Sequence, residues 1–322
     1  MPAPPLRPDI RTAVALSAAT STLIIAQQIA SKSLRDALFL VQYPVSMLPV
    51  LMIGAAVLSF GVAILMGRLM RRAAPAQIVP AMFVLSGALY AIEWLASGSF
   101  PRAVAVLLYA HTVTFGASAV SGFWSVINER FDPYVAKRVI GTIGAGATLG
   151  GLVGGIAVWQ GAARLPLEAM FPALALINAL CAVLLYRVSR PANESPTGTQ
   201  KASPSSQEAS ASELEATPYL KNIGVFVLLS ALGTSLFDYV FKAEAALRYS
   251  EGDELVTFFA LFYTLVGAAT FVVQNTLVRL SLVRLGLVKT MGVMPSFAVL
   301  FGLGGVFFPG FYAANARRMV AA

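Results

Sequence analysis

Long apolar runs separated by short charged segments constrain this 322-residue chain more than any other feature. A helix needs about 20 apolar residues to cross a hydrocarbon core of ~30 Å, whereas the strands of a membrane barrel alternate over about ten residues. Charged residues make up 12% of the chain, about half the usual share. The sequence therefore predicts an all-α, polytopic helical membrane protein.

The hydropathy pattern predicts nine membrane spans. They cover residues 12–34, 44–67, 77–97, 102–127, 139–160, 168–187, 221–242, 255–277 and 288–308. Residues 189–219 are rich in Ser, Pro, Ala and Glu and lack apolar periodicity, which predicts a disordered cytoplasmic linker. We therefore expect a six-helix N-terminal half at 1–188 and a partial C-terminal half at 220–322. Two membrane halves joined by a long loop are typical of transporters.

The 23 Lys and Arg residues outnumber the 15 Asp and Glu, but they are spread over short loops and not gathered on one face. This distribution argues against a nucleic-acid partner. Most of the basic residues fall in cytoplasmic segments if the N-terminus is inside, which favours that orientation in an inner membrane. Nine spans would place Arg317 and Arg318 outside, so we expect the second half to need further helices or a second subunit for transport.

The first candidate site is a group of three charges where the first apolar run meets the second. Lys32 and Arg35 are three residues apart and Lys32 and Asp36 are four apart, so they share one face of a continuing helix. Two cations and an anion there could hold a phosphate or carboxylate, because charges at membrane depth usually face a substrate pathway. The alternative is that they lie at the membrane surface, reach outward and pair locally.

The second candidate site consists of Asp238, Lys242 and Glu244, which follow a later apolar run in the same way. Asp238 and Lys242 are an i, i+4 pair that could bind substrate or simply neutralise two buried charges. The recurrence of such charges in both halves of the chain indicates a repeat-built transporter.

Glu93 and His111 lie within the third and fourth predicted spans. A carboxyl group or imidazole at membrane depth could contact substrate or relay protons. Trp94, beside Glu93, also fits an anchor at the membrane surface, and His111 could be a satisfied polar contact in the core. Both residues are candidate substrate-binding residues under the first interpretation and have only a structural role under the second.

The glycines at 141–155 do not form a nucleotide-binding loop. This stretch lacks the Gly-Lys-Ser/Thr ending of a Walker A loop and the Gly-x-Gly-x-x-Gly dinucleotide pattern. Gly146, Gly150 and Gly154 instead recur every four residues, and such spacing lets helix backbones approach closely. It predicts a helix-packing face.

The chain has one histidine and one cysteine, Cys181, both within predicted spans. This excludes the usual His/Cys metal clusters and argues against a Ser-His-acid site. We therefore expect no cofactor and no enzymatic activity.

Three motifs resemble the ATP:ADP antiporter, or NTP/NDP exchange, transporter family. They are LRDALFL at 34–40, FWSVIN at 123–128 followed by AKR at 136–138, and FDYVFK at 237–242. The resemblance implies a major-facilitator-like fold of two six-helix halves that exchanges nucleotides by alternating access without hydrolysing them. Asn128, which ends the second motif, joins the candidate substrate-binding residues.

The resemblance also implies roles for particular residues. Arg35 and Asp36 occupy the place of a Lys-Asp pair in the family, so Arg35 is expected to contact phosphate. Where the exchangers carry an acidic residue in helix four, this chain has His111 and Thr112. The expected function is a carrier of an organic anion, with ATP or ADP as the leading candidate. The alternatives are a proton-coupled carrier of another small solute and a non-transporting membrane anchor or sensor.

Overall fold

The computed structural model describes residues 7–162, 164, 166–189, 218–249 and 252–273, and every regular element within these ranges is helical. Eight long helices are joined by short connections, with single 3-10 turns at Val45–Met47 and Leu167–Ala169. The helices are α1 (Pro8–Gln42), α2 (Leu48–Arg72), α3 (Pro75–Ser97), α4 (Pro101–Arg130), α5 (Pro133–Ala162), α6 (Met170–Ser189), α7 (Pro218–Arg248) and α8 (Gly252–Val273).

Proline marks the start of most of these helices. The first residue of α1, α3, α4, α5 and α7 is a proline. Proline suits this position because its missing N–H has no partner in the first helical turn and its fixed φ is already helical.

All eight helices of the described residues are long and apolar enough to span a membrane. The molecule is thus an all-α, multi-pass membrane protein, and the first eight predicted spans coincide with helices. The predicted ninth span, 288–308, lies outside the described residues. So does the predicted linker apart from its edges, where Ser189 still belongs to α6 and α7 begins at Pro218.

The helices extend further than the predicted spans, and this changes the position of the charged groups. Helix α1 continues to Gln42 and α7 to Arg248, whereas the predicted spans end at 34 and 242. Lys32, Arg35 and Asp36 therefore lie within α1 and not at its end. Apolar residues continue beyond these charges, which is why the helix does not stop there.

Helix α1 occupies the centre of the described bundle, where it packs against α4, α5 and α6. Helix α3 packs against α4 and α6, and α2 packs against α4. The outer face of α2 leaves large apolar side chains exposed, among them Val50, Ile53, Val57 and Phe60. Such a surface is expected for a helix surrounded by lipid.

The glycine face of α5 lies directly against the backbone of α1. A Cβ atom added at Gly150 would lie 2.8 Å from the carbonyl carbon of Thr22, and one at Gly154 would lie 2.8 Å from Cβ of Ala26. The Thr22 hydroxyl donates to the carbonyl oxygen of Gly146 at 2.8 Å. The predicted packing role of this face is confirmed.

The chain divides into two compact units. The first contains 1–216 and 235–268, and its described part comprises α1 to α6, α7 from Ser235 and α8 up to Ala268. The second contains 217–234 and 269–322, of which the structure describes 218–234 and 269–273. All contacts of the sites described below lie within the first unit.

Candidate functional site

A buried carboxylate, Asp36, is the centre of a charged cluster that joins α1 to α7 and α8. Its two oxygens accept hydrogen bonds from Nε and Nη2 of Arg35 at 2.8 and 3.0 Å. Nζ of Lys242 lies 3.1 Å from Oδ1, and the Tyr263 hydroxyl donates to Oδ2 at 2.7 Å. A carboxylate accepts about four hydrogen bonds at most, so this one is saturated.

Lys242 connects the two groups that the sequence analysis treated separately. Its ammonium donates to Asp238 Oδ2 at 2.7 Å, one turn earlier on α7, while it also contacts Asp36. The side chain of Lys242 is 1% exposed, and that of Asp238 is 33% exposed. Together with Arg35, the cluster contains two cations and two carboxylates and is neutral. These charges can lie in the core of the helix bundle because they neutralise one another.

Tyr109 of α4 forms the aromatic wall of this cluster, which we name the Asp36 cluster: Arg35, Asp36, Asp238, Lys242, Tyr263 and Tyr109. The guanidinium carbon of Arg35 lies 4.6 Å from the centroid of the Tyr109 ring, and Nζ of Lys242 lies 5.8 Å from it. Cations within about 6 Å of an aromatic face are attracted to its negative quadrupole. A planar guanidinium between a carboxylate and a ring is thus held in one orientation.

Three other candidates from the sequence analysis lie outside the Asp36 cluster. Lys32 and Glu244 are exposed, and so is Asn128 near the end of α4. No hydrogen bond or ion pair joins Lys32 to another described residue, although it lies near enough to Arg35, Asp36, Asp238 and Lys242 to interact with their charges. Lys32 therefore lies beside the Asp36 cluster without a hydrogen bond to it.

Glu93 and His111 form a second polar group, between α3 and α4. Nδ1 of His111 lies 3.0 Å from Oε1 of Glu93, and Nε2 lies 2.9 Å from the Ser86 hydroxyl oxygen. Glu93, His111 and Ser86 are 0%, 4% and 3% exposed, respectively. The side chain of Glu93 therefore points into the bundle and not outward from it.

Ser86 is a site residue that the sequence analysis missed. Nothing in the sequence separates it from other serines in apolar helices; only its position two turns before Glu93 on α3 could have drawn attention to it. Ser86, His111 and Glu93 are connected in the order of a Ser-His-acid triad, which the residue counts had argued against. The hydroxyl is buried in this conformation, however, and a triad serine needs access to its substrate.

The described residues contain no group of three or more His, Cys, Asp or Glu side chains that could hold a metal ion. Comparison with known proteins found no matching family model, no matching curated protein and no matching solved structure.

Proposed function

We propose that the protein is an inner-membrane carrier with a cytoplasmic N-terminus that exchanges an organic anion, in the first instance ATP for ADP, by alternating access. The observation that carries this proposal is the buried Asp36 cluster, because it places two cations between α1 and the α7–α8 pair. Buried ionisable groups in membrane helices mark substrate pathways by default. In a major-facilitator-like fold, α1 and α7 are the first helices of the two halves.

The cations of the Asp36 cluster can exchange their carboxylate partner for a phosphate. Arg35 presents a planar fork of donors that matches a phosphate as well as it matches a carboxylate. A nucleotide phosphate that reached Arg35 and Lys242 would therefore compete with Asp36 for the same donors. Exposed Lys32, one turn earlier on α1, is placed to attract the incoming anion by its charge.

Anion binding and helix movement are linked in this scheme. Asp36 is the residue that connects α1 to Lys242 on α7 and to Tyr263 on α8. When a phosphate replaces Asp36 as the partner of the cations, these connections weaken and α1 can separate from the other two helices. Such differential contact with two conformations is what a ligand needs in order to shift their populations. No bond of the nucleotide is broken, so it should be recovered intact.

A proton-coupled carrier of another small solute is the second candidate, and the buried Glu93–His111 pair favours it. A non-transporting membrane anchor or sensor is the third candidate, since anion binding alone does not require transport. These candidates differ in whether the bound anion crosses the membrane and whether a proton accompanies it.

Binding of radiolabelled ATP to the purified chain tests the proposal. Loss of one charge-assisted hydrogen-bonding group costs about 1.5–3 kcal/mol, which corresponds to a loss of affinity of about 10- to 100-fold. We expect that loss for Arg35→Gln. Arg102→Gln is the matched control, because Arg102 is an exposed arginine at the start of α4. Equal affinity in Arg35→Gln and wild type would remove Arg35 from the site, and no binding to wild type would refute ATP as the anion.

A further inference from the structure

Ser86, His111 and Glu93 form a hydrogen-bonded group that has no role in the proposed anion binding. It is buried between α3 and α4 and contains the only histidine of the chain. Histidine is the side chain whose ordinary charge change falls nearest to physiological pH. A histidine bonded to a carboxyl group inside a membrane bundle is therefore a candidate for binding a proton.

The net charge of the Glu93–His111 pair depends on one shared proton. With this proton, the pair is either a neutral acid beside a neutral ring or a carboxylate beside an imidazolium, and both forms are neutral. Without it, the pair carries one negative charge. Both neutral forms allow His111 to make its contacts of 3.0 Å with Glu93 and 2.9 Å with Ser86. The buried geometry favours them, because an uncompensated buried charge is costly.

The second oxygen of Glu93 strengthens this argument. Oε2 is fully buried and has no hydrogen-bond partner among the described residues. Carboxylates in protein interiors are normally stabilised by several hydrogen bonds to both oxygens. An oxygen without a partner is tolerated better on a neutral acid than on a carboxylate, so the orphaned Oε2 also indicates that the pair holds its proton here.

The described residues nearest the pair supply no other compensating charge. The Tyr90 ring centroid lies 4.4 Å from that of His111, and the Phe115 ring meets the imidazole edge-on at 5.1 Å. From α1, Gln27 and Ser31 interact with the Tyr90 hydroxyl. Both residues are polar and uncharged, so they cannot neutralise a carboxylate.

The charged groups on the surrounding helices act on other residues or lie at helix ends. Exposed Lys32 of α1 interacts with the charges of the Asp36 cluster, and Arg187 lies in the last turn of α6. Arg35 of α1, whose charge acts on Tyr90, is bonded to Asp36. Helix α6 packs on α3 with apolar residues, Asn178 and Cys181. Helix α2 contacts α4 through its Ser59, and its arginines lie at its C-terminal end. Among the described residues, His111 is therefore the group whose charge can balance that of Glu93.

Helix α4 contributes to both the pair and the Asp36 cluster, and α1 contributes to the cluster and to the surroundings of the pair. Helix α4 contributes Tyr109 to the cluster and His111 to the pair, two residues apart. Helix α1 contributes Arg35 to the cluster and, one turn earlier, Ser31 to the surroundings of Tyr90. A movement of α1 away from α7 and α8 on anion binding therefore alters the surroundings of both groups.

We infer that Glu93 and His111 form a proton-binding site that holds one shared proton while the helices are closed and exchanges it when they open to water, so that anion movement is coupled to a proton. The coupling rests on the proposed function, whereas the shared proton stands on the geometry of the pair alone. Ser86 is a positioning residue that fixes the imidazole through Nε2.

The shared proton can be observed directly because the chain has one histidine. Nitrogen-15-labelled histidine gives NMR signals from His111 alone, and infrared spectroscopy detects the C=O band of a protonated acid. At neutral pH we expect either an imidazolium signal or a carboxylic acid band that disappears in Glu93→Gln. A neutral ring without a Glu93 acid band would overturn the inference. His111→Gln is a second variant that removes the same site if Glu93→Gln fails to fold.

Coupling is tested by uptake of labelled ATP into ADP-loaded liposomes with and without an inward proton gradient. We expect the gradient to increase wild-type accumulation severalfold and to have no effect in Glu93→Gln. Glu129→Gln makes the same chemical change at an exposed position and should retain the gradient effect. Wild-type uptake that ignores the gradient refutes the coupling. Absence of ATP uptake under both conditions refutes the proposed function and the coupling together, while the spectra still decide on the shared proton.

Discussion

Removing the charge of Asp36 should destabilise the protein more than any other single charge change in the cluster. Asp36→Asn preserves the size of the side chain but leaves the guanidinium of Arg35 without its carboxylate partner. Lys242 retains Asp238 at 2.7 Å, so only one cation becomes uncompensated. The Tyr263 hydroxyl loses a charged acceptor at the same time.

The size of the effect follows from burial. The Asp36 side chain is fully buried and that of Arg35 is 9% exposed. Breaking a buried pair by removing one partner costs about 3–5 kcal/mol, because an unpaired charge remains in the core. Asp238→Asn is the matched control: its carboxylate is one-third exposed, and exposed pairs contribute about 0–1 kcal/mol.

A double variant separates the effect of charge from that of lost contacts. Arg35→Met with Asp36→Asn leaves Lys242 paired with Asp238, so the remaining cluster is neutral. Replacing a buried pair by apolar side chains is often close to neutral, and we expect the double variant to be about 2 kcal/mol more stable than Asp36→Asn. Loss of the contact between Arg35 and Tyr109, about 0.5–2 kcal/mol, limits this gain.

The assay is unfolding of the purified variants in mixed micelles, followed by circular dichroism and evaluated as the free energy of unfolding. The expected order of stability is wild type, Asp238→Asn, the double variant and then Asp36→Asn. If Asp36→Asn is as stable as Asp238→Asn, or the double variant is the least stable, the charge-balance argument is incorrect.

Two further predictions concern the packing of the bundle and its surroundings. Gly150→Ala should destabilise the protein by about 1–3 kcal/mol, because the added Cβ meets the backbone of α1. The control Gly144→Ala on the same helix should be neutral, because its Cβ meets no atom within 4 Å. Equal melting temperatures of the two variants would show that the crossing of α5 and α1 is not tight. A cysteine introduced at Ser205 should react with a membrane-impermeant reagent in inside-out vesicles, because the composition of 189–219 predicts a cytoplasmic linker. Native Cys181 is fully buried and should react only after unfolding. Protection of the introduced cysteine would contradict the predicted topology.

The sequence predicted the helices better than the contacts between them. Apolar runs located the eight spans that coincide with helices, and the four-residue glycine spacing predicted a packing face on α5, which lies against α1. Both are local properties of the chain, since a glycine repeat on one helix face is visible in the sequence alone.

The site was predictable only in part. Asp238 and Lys242 pair as their i, i+4 spacing indicated. Lys242 and Asp36 are 206 residues apart in the sequence, and no periodic pattern predicts a contact between positions so far apart. Spacing also grouped Lys32 with Arg35 and Asp36, but it does not predict which of them form hydrogen bonds, because it fixes the helix face and not the conformation of a long side chain. The role of Ser86 depends on the alignment of α3 with α4, which only tertiary packing determines.

Exchange of external labelled ATP for internal ADP tests the central claim most directly. The protein is reconstituted in liposomes as the oligomer in which it is purified, and the liposomes are loaded either with ADP or with buffer. The account predicts uptake that requires internal ADP, returns intact ATP and is lost in Arg35→Gln but not in Arg102→Gln. ATP binding without any exchange would contradict the carrier and favour an anion-sensing membrane module.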